Sequence, residues 1–469
     1  MAGSQTNSAG VDLHLELKGP RLRAGLTDAL REAVRSGRLP PGSRLPASRT
    51  LAADLGIARS TVTECYAELV AEGLLIAQQG SGTRVAQRAT PRRGSPAPPH
   101  RRRGTHGLLP GAADFSEFPR TQWLAAARRV LAVASPDAFG YGDPLGRVEL
   151  RTALADYLSR VRGVDAEPER IVICPGFHHG LTLTARALKA RGVRAVAVEA
   201  FGLDLYRELL TDAGLTIPPL RVDGHGARTD ELASLAGVGA ALLTPAHQFP
   251  TGFALSAERR AAAIDWARTT GGLILEDDYD GEFRYDRKPV GALQGLDPER
   301  VVYFGTASKS LAPALRIAWM VAPEPLLPDL AAAKGPVDTV GALDQLTLAE
   351  FITSGGFDRH VRARRQSYRR RRDELVKALA QRAPDVRVTG LAAGLQAVLE
   401  LPPGTEGSVL HAAARQGLMV SGMAEFRHPA IPAAVHDALV VNYSAVSDSA
   451  WGGALNALCS VIGDAARPV

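Results

Sequence analysis

Residues 301–323 read VVYFGTASKSLAPALRIAWMVAP. The β-branched and aromatic run predicts a buried strand ending at Gly305. Small hydroxyl residues follow at once, then Lys309, then Arg316 seven positions on. Such a lysine suits imine formation beside a phosphate that the hydroxyls and the arginine fork would hold.

Working outward, residues 271–285 read GGLILEDDYDGEFRY and end a second buried run in Asp277, Asp278 and Tyr279. A carboxylate able to pair with a pyridinium nitrogen, plus an imine-forming lysine, is the minimal equipment for pyridoxal 5'-phosphate (PLP). Thr306, Ser308 and Arg316 would serve its phosphate. The segment CPGFHHG, 174–180, places a glycine turn before a helix. Backbone amides near Phe177 and His178 would then meet the same phosphate at the helix N-terminus. His178 and His179 are adjacent, point in different directions and lack a third spaced ligand, so no metal site is expected.

Further runs, RIVICPG, AVAVEA and GAALLTP, alternate with helical patterns from residue 109 onward. That alternation predicts an α/β fold with a mainly parallel sheet and ligands at the strands' carboxyl ends.

The N-terminal fifth has another character. Residues 1–105 hold 16 Lys and Arg against 8 Asp and Glu, leaving 39 basic and 41 acidic residues in the remainder. A basic module on a near-neutral body suits a polyanion partner. Leu22, Leu26, Ala29, Leu30 and Val34 share helical spacing. LPPGSRLP breaks that helix. Ser48 is expected to cap a short second helix that stops at Gly56. A third is expected from about Arg59 to Glu72, and GLLIAQQGSGTRV reads as a hairpin. Three helices and a hairpin make a winged helix-turn-helix, whose recognition helix enters the major groove of double-stranded DNA.

Domain bounds follow: 11–85 for the DNA-binding module, 86–108 for a Pro/Arg-rich flexible linker, 109–469 for the large domain. No run reaches the ~18 apolar residues of a membrane span. The first twenty residues lack a signal's basic start and apolar core, and three scattered cysteines make no disulfide framework. A cytoplasmic protein is expected.

Residues 18–85 resemble the GntR-type winged helix, and residues ~110–465 resemble the fold-type I aminotransferase domain. The second resemblance is carried by GDPLGRVELRTALADYL, TPAHQFPTGFALSAERR, LEDDYDGEFRY and GTASKSLAPALRIAWMV. Together they resemble the MocR-type regulators. The resemblance implies a PLP imine at Lys309, Asp277 on the ring nitrogen and Tyr279 on the ring hydroxyl. It implies a head-to-tail homodimer in which Tyr141 reaches the partner's cofactor phosphate. It also implies operator contacts from Arg49, Arg59, Ser60 and Thr61, with Gly82 letting the wing approach the minor groove. Function would then be PLP-dependent transcriptional regulation responding to PLP or to an amine or amino-acid-like effector. A working aminotransferase with an attached DNA-binding domain is the alternative.

Departures bear on which holds. Ala58 stands where a Ser or Thr would cap the recognition helix. Val440 stands where an arginine would bind a substrate carboxylate, and Leu205 where related regulators have another arginine. Leu203 replaces an aromatic over the ring, with Phe201 or Tyr206 as substitutes after a shift. These losses predict weak transamination at most, and favour PLP itself or a non-carboxylate amine as signal, unless another arginine, Arg427 being the candidate, moves in. His247 and Gln248 are expected near the ring. Asp278, Asp280 and Glu282 are expected in structural networks. The basic run Arg359–Arg372 is expected to be a solvated or interface face.

Overall fold

The computed structural model describes residues 22–78, 82–86, 106–111, 114–285, 291–432 and 437–465. Residues 11–21, the wing tip at 79–81 and linker residues 87–105 therefore lie outside it. The chain divides into two compact units at residues 101 and 102.

In the first unit, helices α1 (Leu22–Arg35), α2 (Ser48–Leu55) and α3 (Arg59–Ala71) precede an antiparallel pair, β1 (Leu75–Gln78) and β2 (Gly82–Val85). Leu26, Leu30 and Ala33 form one face of α1, the i, i+4, i+7 spacing of a core stripe. They pack with Leu51, Val62, Cys65, Tyr66 and Leu69 into a separate core. Tyr66 Oη donates to the Pro46 carbonyl at 2.9 Å, tying α3 to the turn before α2. Ser48 is the first helical residue rather than the cap: Ala47 occupies that position and offers no side-chain hydrogen bond. Gly56 closes α2 in the left-handed conformation, as expected.

The second unit is built on a seven-stranded sheet. In chain order its strands are β3 (Ile171–Cys174), β4 (Ala195–Glu199), β5 (Pro219–Leu220), β6 (Val238–Leu243), β7 (Leu273–Asp277), β8 (Val301–Thr306) and β9 (Ala318–Val321). Their order across the sheet is β3-β9-β8-β7-β6-β4-β5. All are parallel except β9, which runs antiparallel between β8 and β3. β3, β4, β7, β8 and β9 are buried along their whole length, which is why they read as unbroken apolar runs. A four-stranded antiparallel sheet follows, formed by Arg387–Thr389, Gln396–Glu400, Ala438–Asn442 and Ser421–Gly422.

The placement of β9 matters most. Ala318 pairs with Thr306 on one side and Cys174 on the other. That register brings the end of β8, the end of β3 and the segment carrying Arg316 to one edge. Gly305 is required there, since a Cβ would lie 2.2 Å from Trp319 Nε1 of β9.

The basic run lies in the long helix Gly356–Arg382 but is not simply a solvated face. Arg371 is fully buried and donates to Asp448 and to the carbonyls of Tyr443 and Val446. Arg365 donates to the Glu282 carbonyl and Arg364 to Glu117. Arg362, Arg369 and Arg370 remain exposed. The sequence run hides helical periodicity, with some arginines turned inward to hold the C-terminal segment. No helix among the described residues is long and apolar enough to cross a membrane.

Candidate functional site

Lys309 lies in the short helix Ala307–Ser310 that follows β8 directly. Its Nζ donates to the Gly111 carbonyl at 3.1 Å. Asp277 ends β7, whose register sets it opposite Phe304 of β8. Both residues, with Tyr279, Glu199, Phe201 and Tyr206, line a space of about 840 Å³ that opens toward solvent.

The electrostatics there are strained in a telling way. Burial pushes the Asp277 carboxyl well above its ordinary range, and Asp278, Asp280 and Glu199 add to the effect. Burial lowers the Lys309 ammonium, against the pull of Asp277 and Asp280. Glu199 is pushed up to about 7 by burial, although Thr244 and Gln248 hydrogen-bond it. A buried Asp with carboxylate neighbours needs a cation, and a protonated ring nitrogen is one.

Tyr279 is also kept protonated, first by burial and then by Asp280 and Asp277. His247 Nδ1 lies 3.2 Å from Tyr279 Oη and 2.9 Å from Asp280. Gln248 donates to Glu199 and to the Phe201 carbonyl. His247 and Gln248 thus back Tyr279 and Glu199 and are not among the lining residues. Asp278 belongs to a separate network, with Arg162 at 2.7 Å and Tyr303 Oη at 2.8 Å.

Of the phosphate candidates, Arg316 meets the turn before the helix Phe177–Ala190, while Thr306 and Ser308 lie together where β8 ends; neither these three nor Phe177 and His178 are among the cavity's lining residues. Thr306 Oγ1 accepts from the Ser308 amide and lies 2.9 Å from Ser308 Oγ. Arg316 is the one non-glycine residue with positive φ among the described residues, and it donates to the Pro175 carbonyl. Gly176 has φ 96°, and a Cβ there would lie 2.5 Å from Arg316 Nη2. The CPG turn is therefore a cradle for the guanidinium. His178 is lowered by burial and then by Arg316 and Lys309, which marks it as part of the same electropositive cluster. These donors suit a dianionic phosphate. Tyr141 is 92% exposed and does not line its own chain's cavity.

The far side of the cavity is different. Val440 is fully buried in an apolar cluster with Phe426, Val398 and Met423, against which Phe201, Leu203 and Phe249 pack. Leu205 is 43% exposed and is not a lining residue. Both expected carboxylate anchors are therefore apolar in the structure too. Arg427, the substitute suggested by the sequence, donates to the Ile431 carbonyl and does not line the cavity. Arg207 lines it instead and was missed. The signal available was Asp204 three residues earlier, a helical pair that marks Arg207 as a positioned side chain. Leu203, Phe201 and Tyr206 all line the cavity, so the lost aromatic has two neighbours in place.

In the first unit Arg49, Arg59 and Ser60 are exposed and Thr61 is half-buried. Ala58 caps α3 without a side-chain hydrogen bond. Gly82 has φ 89° and opens β2, where a Cβ would come within 3.2 Å of Arg44.

Residues 22–85 match the gntR family of bacterial regulatory proteins, and residues 109–441 match aminotransferase class I and II. The chain is 32% identical to the HTH-type pyridoxine biosynthesis transcriptional regulator PdxR of Corynebacterium glutamicum, over 86% of this chain and 88% of that protein. It is also 32% identical to the probable rhizopine catabolism regulatory protein MocR of Rhizobium meliloti, over 86% and 87%. The structure resembles that of an archaeal alanine:glyoxylate aminotransferase, with a TM-score of 0.69 and 26% identity over 76% of this chain and 91% of that one.

Proposed function

The chain belongs to the MocR-type HTH transcriptional regulators, with a GntR winged helix and an aminotransferase-like domain, and from that premise we propose that it holds PLP at Lys309 and couples the state of that site to operator binding. The observation that carries this reading is the convergence of Lys309, Asp277 and Tyr279 on one cavity; to the phosphate we assign Arg316, held at the turn before the helix that starts at Phe177 and His178, and the Thr306 and Ser308 hydroxyls at the end of β8.

When bound, the cofactor supplies an electron-poor ring conjugated to the lysine nitrogen. This chain's residues then have separate tasks. Asp277 would accept from the ring nitrogen and keep it charged. Tyr279, backed by His247 and through it by Asp280, would donate to the ring hydroxyl. Gly176 gives Arg316 room beside the phosphate. Arg49, Arg59, Ser60 and Thr61 meet double-stranded DNA, Arg59 at a base edge and the hydroxyls at phosphates, and Gly82 brings the wing close.

A homodimer active in the cytoplasm completes the proposal. Leu124, Leu131, Phe139 and Tyr141 are exposed apolar residues that a second copy would cover, with Tyr141 reaching the partner's phosphate. Coupling requires that the cavity's ligand favour one arrangement over another.

The test is footprinting of purified protein upstream of its own gene, with and without PLP, alongside absorbance that borohydride abolishes. Protection that changes with PLP, in protein showing that absorbance, supports the reading. Identical protection with no such absorbance refutes it.

A further inference from the structure

Among the described residues, two buried donors beside the Lys309 cavity lack partners. Arg207 lines the cavity and is 5% exposed. Its Nε and Nη2 are committed to Asp204, and Nη2 also to the carbonyls of Gly202 and Phe426. Its Nη1 is shielded from water and has no hydrogen-bond partner among the described residues. Gln396 reaches the same cavity from the strand Gln396–Glu400, and its Nε2 is equally buried and unpartnered. Folded proteins satisfy nearly all such groups, so two of them beside one cavity call for a ligand.

The charges around the cavity say which kind. Its lining cations are Lys309 and Arg207, and its lining anions are Asp277 and Glu199. With Lys309 bonded to the cofactor and Asp277 facing the ring nitrogen, Arg207 is the lining cation left over. Asp204 neutralises it only in part, because that carboxylate is largely in solvent. Leu203, Leu242, Phe249 and Leu395 supply an apolar wall.

We infer that Arg207 and Gln396 form a carboxylate anchor, which makes the effector a small amino acid with an apolar side chain. This rests on the proposed reading of Lys309. It departs from what Val440 and Leu205 suggest, since the anchor has moved rather than vanished. The arginine supplies charge, and the glutamine supplies a second, neutral donor that fixes orientation.

The test titrates PLP-loaded full-length protein with each of the common amino acids and with the matching amines that lack the carboxylate. Cofactor absorbance and thermal shift are the readouts. At least one apolar amino acid should act at concentrations on the order of 10-fold below its amine. Arg207→Gln and Gln396→Leu should each erase that preference while the starting absorbance stays unchanged. Because Arg207 also holds the Phe426 carbonyl, Gln396→Glu provides an independent arm: its added negative charge should weaken the acid and spare the amine. Equal action of acid and amine, no action by any acid, or a preference surviving both Gln396 variants overturns the anchor. So does an Arg207→Gln protein that loses PLP affinity alone, because the arginine then serves the cofactor. Wild-type protein without borohydride-sensitive absorbance overturns the reading of Lys309 as well; protein with that absorbance and no acid preference overturns the anchor only.

Discussion

In the winged helix, the residues proposed to meet DNA include three consecutive positions, Arg59 to Thr61, in the first turn of α3. Around Lys309, by contrast, the working residues come from the ends of β3, β4, β7 and β8, from the segment before β9, and from the C-terminal sheet. One surface is local in sequence and open to solvent. The other is assembled across hundreds of residues and largely buried. The difference teaches that a local motif can name a whole exposed surface as a candidate, whereas a buried cavity gathers residues, such as Arg207, that no motif names. It also predicts that the two respond to substitution independently, at least where ligand binding itself is measured.

Lys309→Ala breaks the comparison most sharply. The borohydride-sensitive absorbance should vanish completely, because no other lysine among the described residues lines the cavity, while the apoprotein's affinity for random DNA stays unchanged. A surviving band would show that another amine holds the cofactor.

A pH series comes next. Glu199, Glu276 and Glu282 are each pushed up to about 7, burial being the main cause. Their folded values lie above their unfolded ones, so the unfolded chain releases these protons first. Their contribution to stability is full below the ordinary carboxylate range and is lost as pH rises through about 7. Apoprotein stability should fall by on the order of 3 kcal/mol or more between about pH 5 and about pH 8. Glu199→Gln should flatten that slope. A rising melting temperature over the same interval would contradict the assignment.

Gly176→Val tests the phosphate cup. Its Cβ would displace the Arg316 guanidinium, and the positive φ adds strain. PLP affinity by equilibrium dialysis should drop roughly 10- to 100-fold, with non-specific DNA affinity unaltered. Unchanged PLP affinity would move the phosphate elsewhere.

Arg59→Ala should cost about 1–3 kcal/mol of operator affinity and relax sequence preference, leaving PLP binding intact. Equal losses on operator and random DNA would reduce Arg59 to a phosphate contact.

Ala58→Ser gives the smallest expected effect. A hydroxyl at the vacant cap should stabilise α3 by about 0.5–2 kcal/mol, seen as a higher melting temperature of the winged helix and no change in cofactor absorbance.

Much of this molecule is legible in its residues. Unbroken apolar runs at β3, β4, β6, β7 and β8 are strands because both faces of a parallel sheet are covered. Lys309 and Asp277 are legible as candidates because imine chemistry and ring-nitrogen pairing would each demand one residue type at a strand end, and both line one cavity. Ser48 misled because a hydroxyl beside a helix start suggests a cap, and only the backbone shows that Ala47 holds that place. Arginines 359–372 misled because a dense run of one residue masks periodicity, so the inward-facing Arg371 looks like its exposed neighbours.

The sequence by itself determined two modules, their order and the strands of the large one, and it named Lys309 and Asp277 as candidate anchors, since each depends on local pattern or on a residue type that chemistry requires. Tertiary structure alone decided that β9 runs antiparallel between β8 and β3, and so that Arg316 meets the Gly176 turn. It alone decided that Arg207, rather than Arg427, lines the cavity. The physical reason is the same in both cases: which side chains share a space is set by strand order and by packing between segments far apart in the chain, which local spacing does not specify.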